Sequence, residues 1–294
     1  MTSVDGLGES ELFKRIAPYV TTQGIAIGAG QDDAAAWSDG GAYTVATTDM
    51  SVEGVHFDLS WMSSEDAGWR ALALALGDIA AKGATPSWAL TSVAVPRKWS
   101  VENFTGLFKG MAGLAEKVHL MIVGGDMSAI DGPAVLSISV VGRTVNKPLA
   151  RREAKPGWSV AVTGPLGAAA VALRERRALR LEPRLAEGRR LNEAGLCCGD
   201  ISDGLLREME KFAEMSGSGC ILRAAEIPTA DRATLEDALT SGEEADLVCV
   251  GPEDVVRAAG LQPIGRLIVE RDVRIVGAGG EPVRVGLRGY DHFA

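Results

Sequence analysis

The chain reads as a two-domain α/β (α+β) protein on three observations. Apolar runs of strand length alternate with runs at helical spacing through both halves of its 294 residues. A basic, proline-containing stretch, Lys147 to Gly157 (KPLARREAKPG), interrupts that alternation near the middle. The length suffices for one large core or two medium ones, and no short-period repeat points to a solenoid.

The elements follow in order. Glu9 to Val20 has amphipathic helical spacing, with Ser10 a candidate cap and Pro18 marking its end. Ala42 to Thr48 reads as a strand, and Gly54 to Leu59 as a further extended segment. Ser63 or Ser64 caps a helix with Glu65 and Asp66 in its first turn, where the helix dipole favours acids. From Ala67 to Ala81 that helix is apolar almost all round, which predicts burial on several sides. Trp88 to Val95 is a strand closed by Pro96, and Val101 to Val118 a helix. Leu120 to Val123 is a short strand running into Gly124–Gly125–Asp126, and Ala134 to Val141 is another strand. After the basic stretch come strand Ser159 to Thr163, turn Gly164–Pro165 and helix Leu166 to Arg176. A charged helical region around Pro183 to Ala194, strand Leu196 to Ile201, helix Gly204 to Met215 and turn Ser216 to Gly219 complete the readable part.

Composition narrows the function classes. With 46% hydrophobic and 23% charged residues the chain is an ordinary globular one. A net charge of −9 and the lack of a lysine-rich face argue against nucleic-acid or anionic-membrane partners. The four cysteines have neither zinc-site nor disulfide-framework spacing and are expected to be reduced and buried. The N-terminal MTSVDGLGESELF has no apolar leader core, and no stretch approaches the roughly 18 apolar residues of a membrane span. A cytoplasmic protein is expected.

The chemistry-bearing feature is a series of aspartates set among glycines, small residues and hydroxyls. They are Asp32–Asp33 in GAGQDDAA, Asp49 in TTDMSVEGVHF, Asp78 in GDIAAKGA, Asp126 in VGGDMS, and Asp200 with Asp203 in GDISDGL. Two carboxylates about 4 Å apart repel by roughly 1 kcal/mol in water and about 4 kcal/mol at an effective dielectric of 20. If these segments converge, a divalent metal and a phosphate-bearing ligand are the natural partners.

Each segment also has a plainer reading. Thr47–Thr48–Asp49 offers hard oxygen donors suited to Mg²⁺, or a turn. His56 is a phosphate contact or an exposed structural histidine. Asp126 follows two glycines at an expected strand end, where α/β folds place ligands. Asp203 is a metal ligand or a helix N-cap, but a cap leaves Asp200 and Ser202 unexplained. Arg151 is a bidentate phosphate partner or an exposed linker residue. Glu243, in an acidic stretch, and Tyr290, near the terminus, are ligand contacts or a solvated turn and a packed tail. Gly28–Ala29–Gly30 lacks both the dinucleotide fingerprint and the lysine of a Walker loop.

Together and in order, GAGQDDAA, TTDMSVEGVHF, GWRALALALGDIAAKGATP, VGGDMS, LARREAKPG, VTGPLGAA, DISDGL and GYDHF resemble the thiamine-monophosphate kinase family. That family sits in a superfamily with aminoimidazole ribonucleotide synthetase, selenophosphate synthetase and the hydrogenase-maturation protein HypE. The resemblance spans nearly the whole chain. It implies an N-terminal α/β domain, 1–145, that binds ATP and metal and contributes a mixed sheet to a homodimer. It also implies a C-terminal α/β domain of the aminoimidazole ribonucleotide synthetase-like type, 146–294. The implied reaction transfers the ATP γ-phosphoryl group to thiamine monophosphate, giving thiamine diphosphate and ADP.

By the same resemblance Asp33, Asp49, Asp78, Asp126, Asp200 and Asp203 hold several Mg²⁺ ions, with Thr47 and Thr48 as further oxygen ligands. Of these, Asp49, Asp126 and Asp203 are the residues on which catalysis is expected to depend. Gly125, Asp126, Arg151 and Ser202 contact ATP; His56, Glu243 and Tyr290 line the thiamine-phosphate pocket. Two departures stand out: the family's GGEDYEL is SGEEADL here (Ser241 to Leu247), and Ala29 and Gln31 replace residues of a compact GIGDDAA. A selenophosphate synthetase is disfavoured because no reactive cysteine or lysine precedes the first loop. HypE is disfavoured because GYDHF ends without a terminal cysteine.

Overall fold

The computed structural model describes residues 4, 6–286 and 289–293. After helix α1 (Glu9–Ile16), the N-terminal half folds as β1 (Ala35–Asp39), β2 (Ala42–Val52), α2 (Ser64–Ala81), β3 (Thr85–Pro96), α3 (Val101–Lys117), β4 (Met121–Ile130) and β5 (Val135–Thr144). Its five strands form one mixed sheet in the order β1-β2-β5-β3-β4, antiparallel except for the β3–β4 pair.

A 3₁₀ turn at Arg151–Glu153 leads into the second half. This comprises β6 (Ser159–Val162), α4 (Ala168–Arg174), α5 (Leu185–Glu193), β7 (Cys197–Asp200), α6 (Leu205–Ser216), β8 (Gly219–Arg223), α7 (Leu235–Thr240), β9 (Leu247–Gly251), α8 (Glu253–Ala258), β10 (Pro263–Ile268) and β11 (Val273–Val276). Its six strands run β11-β8-β10-β6-β9-β7, with β8–β11 the parallel pair.

Helix α2 is the keystone. Ser63 caps it by accepting a hydrogen bond from Asp66 N at 3.0 Å, and Gly83 with φ 62° ends it. One side packs on β2, β3 and β5, another on α3, and a third on α5 and β7 of the second half. The helix is therefore buried nearly all round, as its apolar sequence predicts. Contact with α3 is backbone-close: a Cβ at Gly68 would sit 1.9 Å from the Leu107 carbonyl oxygen, and one at Gly110 1.8 Å from that of Glu65. A continuous apolar core links α2 with Leu191, Leu196, Cys198 and Leu247 of the second half.

Several element boundaries differ from the sequence reading. Strand β2 runs on to Val52, so Asp49 lies inside a strand. Gly54 to Leu59 is a turn held by a single bridge, Glu53 to Phe57, not a strand. Strand β4 continues through Gly124–Gly125–Asp126 to Ile130 because β3 supplies a parallel partner along its length. Strand β1 escaped the reading because AAWSD has no alternation. Its hairpin partner is reached through Gly40–Gly41, both at positive φ, as a two-residue type I′ loop requires.

Candidate active site

One cavity of about 690 Å³ opens between the halves and is lined by both. At one end lie carboxylates from separate elements. Asp33 precedes β1; Thr47 and Asp49 share the helix-facing side of β2. Asp78 is on α2, Asp200 is the last residue of β7, and Asp203 sits just before α6. Asp33, Asp78 and Asp200 each present a carboxylate oxygen, all within 4.8 Å of one another. Thr47 Oγ1 donates to Asp78 Oδ2 at 2.5 Å. Asp203 is not the α6 cap, which is Gly204; its carboxylate instead accepts from Lys211 Nζ at 2.8 Å.

The electrostatics are those of an anionic hole. Burial, then the charges of Asp200 and Asp33, pushes the Asp49 carboxyl up to about 7. Burial and neighbouring carboxylates likewise raise Asp78 and Asp200 well above the usual range. Burial alone would also raise Asp33, but Arg151 and Lys211 outweigh it and hold that carboxyl well below its ordinary value. Asp200 Oδ1 is buried, accepts no hydrogen bond, and lies 4.0 Å from the nearest Arg151 nitrogen. Hard oxygen donors, an unsatisfied buried carboxylate oxygen and mutual repulsion together fit a divalent cation.

The other end of the cavity is aromatic and apolar, with Trp61, Met62, Leu173 and Leu179 in its walls. His56 stacks on His292 with centroids 5.2 Å apart, and Tyr290 meets His292 edge-on at 4.8 Å. Val52 N donates to His56 Nδ1 at 3.1 Å. Burial lowers the His56 pKa, only partly opposed by Glu243, which favours the neutral ring. Arg70 pairs with Glu243 and donates from Nε to the His56 carbonyl at 3.2 Å. Ser202 also lines the cavity, and its backbone oxygen accepts from Glu243 N at 2.7 Å.

Four expected ligands lie elsewhere. Register places Thr48 across from Ser139, whose Oγ donates to Thr48 Oγ1 at 3.1 Å, on the sheet face opposite Asp49. Asp126 pairs with Ser92 on that same open face, and Gly125 precedes it on the outermost strand. Arg151 is neither an exposed linker residue nor free to meet a phosphate. It is fully buried, its guanidinium pairing with Asp32, Asp33 and Glu208.

Residues 30–144 match the family model described as AIR synthase related protein, N-terminal domain. A thiamine-monophosphate kinase of Rhodopirellula baltica is 34% identical over 223 residues, covering 71% of this chain and 69% of that protein. The Methanopyrus kandleri one is 32% identical and covers 91% and 92%. The chain belongs to the thiamine-monophosphate kinase family. A solved ThiL structure, complexed with AMPPCP and TMP, superposes with a TM-score of 0.85 at 27% identity, over 98% of this chain and 97% of that one.

Within this family member, sequence reasoning passed over Lys82, Glu208, Lys211, Arg70 and His292. Glu208 and Lys211 carried a signal, since Lys211 follows Glu208 by three, a spacing at which helical neighbours meet. Lys82 follows Asp78 by four but its ammonium meets Asp32 instead. Arg70 and His292 had none, because Glu243 and His56, the partners that place them in the site, are distant in the chain.

Proposed function

We propose that this chain catalyses the ATP- and Mg²⁺-dependent phosphorylation of thiamine monophosphate to thiamine diphosphate, releasing ADP. The observation that carries the reading is the joining, in one cavity, of a carboxylate cluster to an aromatic-lined pocket in a chain of this family. Asp33, Asp49, Asp78, Asp200 and Asp203, with Thr47, are the residues that would hold Mg²⁺. When bound, the ions would supply positive charge that stabilises the moving phosphoryl group.

The chain's own residues supply position. Tyr290 and the stacked His56–His292 pair offer flat faces to the rings of the acceptor, and the Arg70–Glu243 pair frames them. Ser202 offers a hydroxyl at the mouth of the carboxylate end, where the nucleotide would lie. An acceptor oxygen that is already anionic attacks the γ-phosphorus as the bond to the β-phosphate oxygen breaks, so no general base is needed. The altered SGEEADL segment is compatible with this role. Glu243 faces the cavity, while Glu244 accepts from Gly167 N at 2.9 Å and Asp246 accepts from Thr163 Oγ1 at 2.8 Å, both as scaffold.

Thr48, Gly125 and Asp126 enter this reading through a homodimer. Their sheet face leaves Met50, Trp88 and Leu90 exposed, and β4 has a free edge. A second copy covering that face would enclose Thr48, Gly125 and Asp126 between the two copies. No helix among the described residues is long and apolar enough to cross a membrane. A cytoplasmic setting accords with four unbridged cysteines and with the ATP consumed.

The test is direct. Purified protein with ATP, Mg²⁺ and thiamine monophosphate should yield thiamine diphosphate and ADP in equal amounts, and Asp126→Asn should abolish turnover with the fold intact. ATP binding without product would overturn the kinase reading; near-normal Asp126→Asn activity would remove Asp126 from the essential set.

A further inference from the structure

Asp33, Asp78 and Asp200 come from a loop, a helix and a strand in different halves of the chain, so something other than local structure must bring their oxygens together. Beneath the cluster lies a lysine with no exposed surface. Lys82 is the residue that ends α2, and its side chain is completely buried. Its ammonium group has three N–H donors, and each has an acceptor: Asp32 Oδ2 at 2.6 Å, the Cys198 carbonyl at 2.7 Å and the Leu149 carbonyl at 3.4 Å. Asp32 is the residue beside Asp33, and its Oδ1 accepts the Asp33 N–H at 2.9 Å. Cys198 lies two residues before Asp200 on β7. Lys82 itself lies four residues after Asp78, and its own N–H donates to the Asp78 carbonyl at 3.1 Å. The ammonium nitrogen thus grips the chain beside Asp33 and two residues from Asp200, Leu149 ties in the segment connecting the halves, and the backbone of Lys82 itself carries the link to Asp78.

We propose that Lys82 is a positioning residue that assembles the cation site. It holds the Asp33 loop, the end of α2 and strand β7 at the mutual distances the three carboxylates need, without touching substrate. This rests on the metal reading given above and adds to it the device that builds the site. The physical case is that a buried ion pair is a poor stabiliser. Its desolvation cost offsets most of the attraction, and an apolar replacement of similar volume is often as stable. Stability alone therefore does not call for a lysine whose ammonium is fully enclosed and fully satisfied, whereas fixing three elements from one atom does. Burial favours the neutral amine, but Asp32 outweighs it and keeps Lys82 charged.

The test measures metal binding apart from turnover. Full-length wild type, Lys82→Met and Lys82→Gln are titrated with Mn²⁺ in the absence of nucleotide, free Mn²⁺ being read by electron paramagnetic resonance. Circular dichroism first establishes that each protein is folded at the temperature used. Lys82→Met should bind Mn²⁺ at least tenfold more weakly and lose kcat in parallel, while KM for thiamine monophosphate, set at the aromatic end of the cavity, moves less than twofold. Lys82→Gln keeps hydrogen-bond donors and should fall between. If Lys82→Met does not fold, Lys82→Gln carries the test against wild type. A folded variant that binds Mn²⁺ as tightly as wild type, or more tightly, overturns the proposal; tighter binding would mean the lysine only competes with the metal for negative charge. Wild type that binds no Mn²⁺ would overturn the metal reading itself, and the clamp with it.

Discussion

Stripped of divalent cations, the protein should lose stability as pH rises from 5 to 8. A free aspartate titrates near 3.9. In the fold the Asp49 carboxyl is pushed up to about 7, by burial first and then by Asp200 and Asp33. Between those values the unfolded chain has released the proton and the folded chain keeps it. Stability is therefore full below the unfolded pKa and falls as pH climbs toward the folded one. From pH 5 to 7 that is two pH units at about 1.36 kcal/mol each, or roughly 3 kcal/mol. For a chain of this size the melting midpoint should drop by roughly 6–12 °C. On the metal reading proposed above, Mg²⁺ would bind the deprotonated carboxylates, so its stabilising effect should grow over the same window. The assay is thermal unfolding at pH 5, 6, 7 and 8, in chelator and in Mg²⁺, for wild type and Asp49→Asn. The variant has no proton to lose there and should melt higher than wild type in chelator at pH 8. The depressed His56 pKa acts with the opposite sign but is common to both proteins, so their difference reports Asp49 together with its effect on Asp78. A wild-type slope matched by Asp49→Asn, or Mg²⁺ stabilisation as large at pH 5 as at pH 8, would refute the reasoning.

Other expectations follow from single contacts. Tyr290→Ala removes a ring face worth about 0.5–1.5 kcal/mol, so KM for thiamine monophosphate should rise roughly 2- to 13-fold while KM for ATP stays put in steady-state kinetics. Gly68→Ala would place a Cβ 1.9 Å from the Leu107 carbonyl and push α2 from α3; urea unfolding should show a loss of about 1–3 kcal/mol. Arg151→Met leaves Asp32, Asp33 and Glu208 facing one another without the guanidinium, a loss of about 3–5 kcal/mol by urea unfolding. Calorimetry on the folded fraction should then find ATP affinity little changed, as befits a residue beneath the site.

What was legible in the sequence was legible for local reasons. The α2 helix announced its cap, its acidic first turn and its all-round burial, because each is written within a few residues. Asp33, Asp49, Asp78 and Asp200 could be singled out because a carboxylate beside an apolar run is unusual wherever it falls. Their convergence could not be seen, since it depends on α2 lying between two sheets. Asp126 shows the limit most clearly. Two glycines before an acid suggest a strand end, yet β3 supplies a hydrogen-bonding partner and the strand runs on through the motif. Arg151 shows another. Nothing near it in the chain reveals Asp32 or Glu208, 119 and 57 residues away, which draw it inside.

Arg151's burial also bears on how the site meets a polyanion. Seven carboxylates surround the deep end of the cavity, those of Asp32, Asp33, Asp49, Asp78, Asp200, Asp203 and Glu208. The cations set against them are Lys82, Arg151 and Lys211. All three cations are committed to carboxylates: Lys82 to Asp32, Arg151 to Asp32, Asp33 and Glu208, and Lys211 to Asp203 and Glu208. Counted as fully ionised, the acids exceed the cations by four charges, and that excess falls on the group where Asp49, Asp78 and Asp200 are raised. Raised carboxyls are how a fold tolerates such a deficit alone, by retaining protons that stand where a stronger cation would. The protein's own cations thus build the hole and leave it short of positive charge, so under the metal reading proposed above the charge that meets the phosphates would enter with the metal.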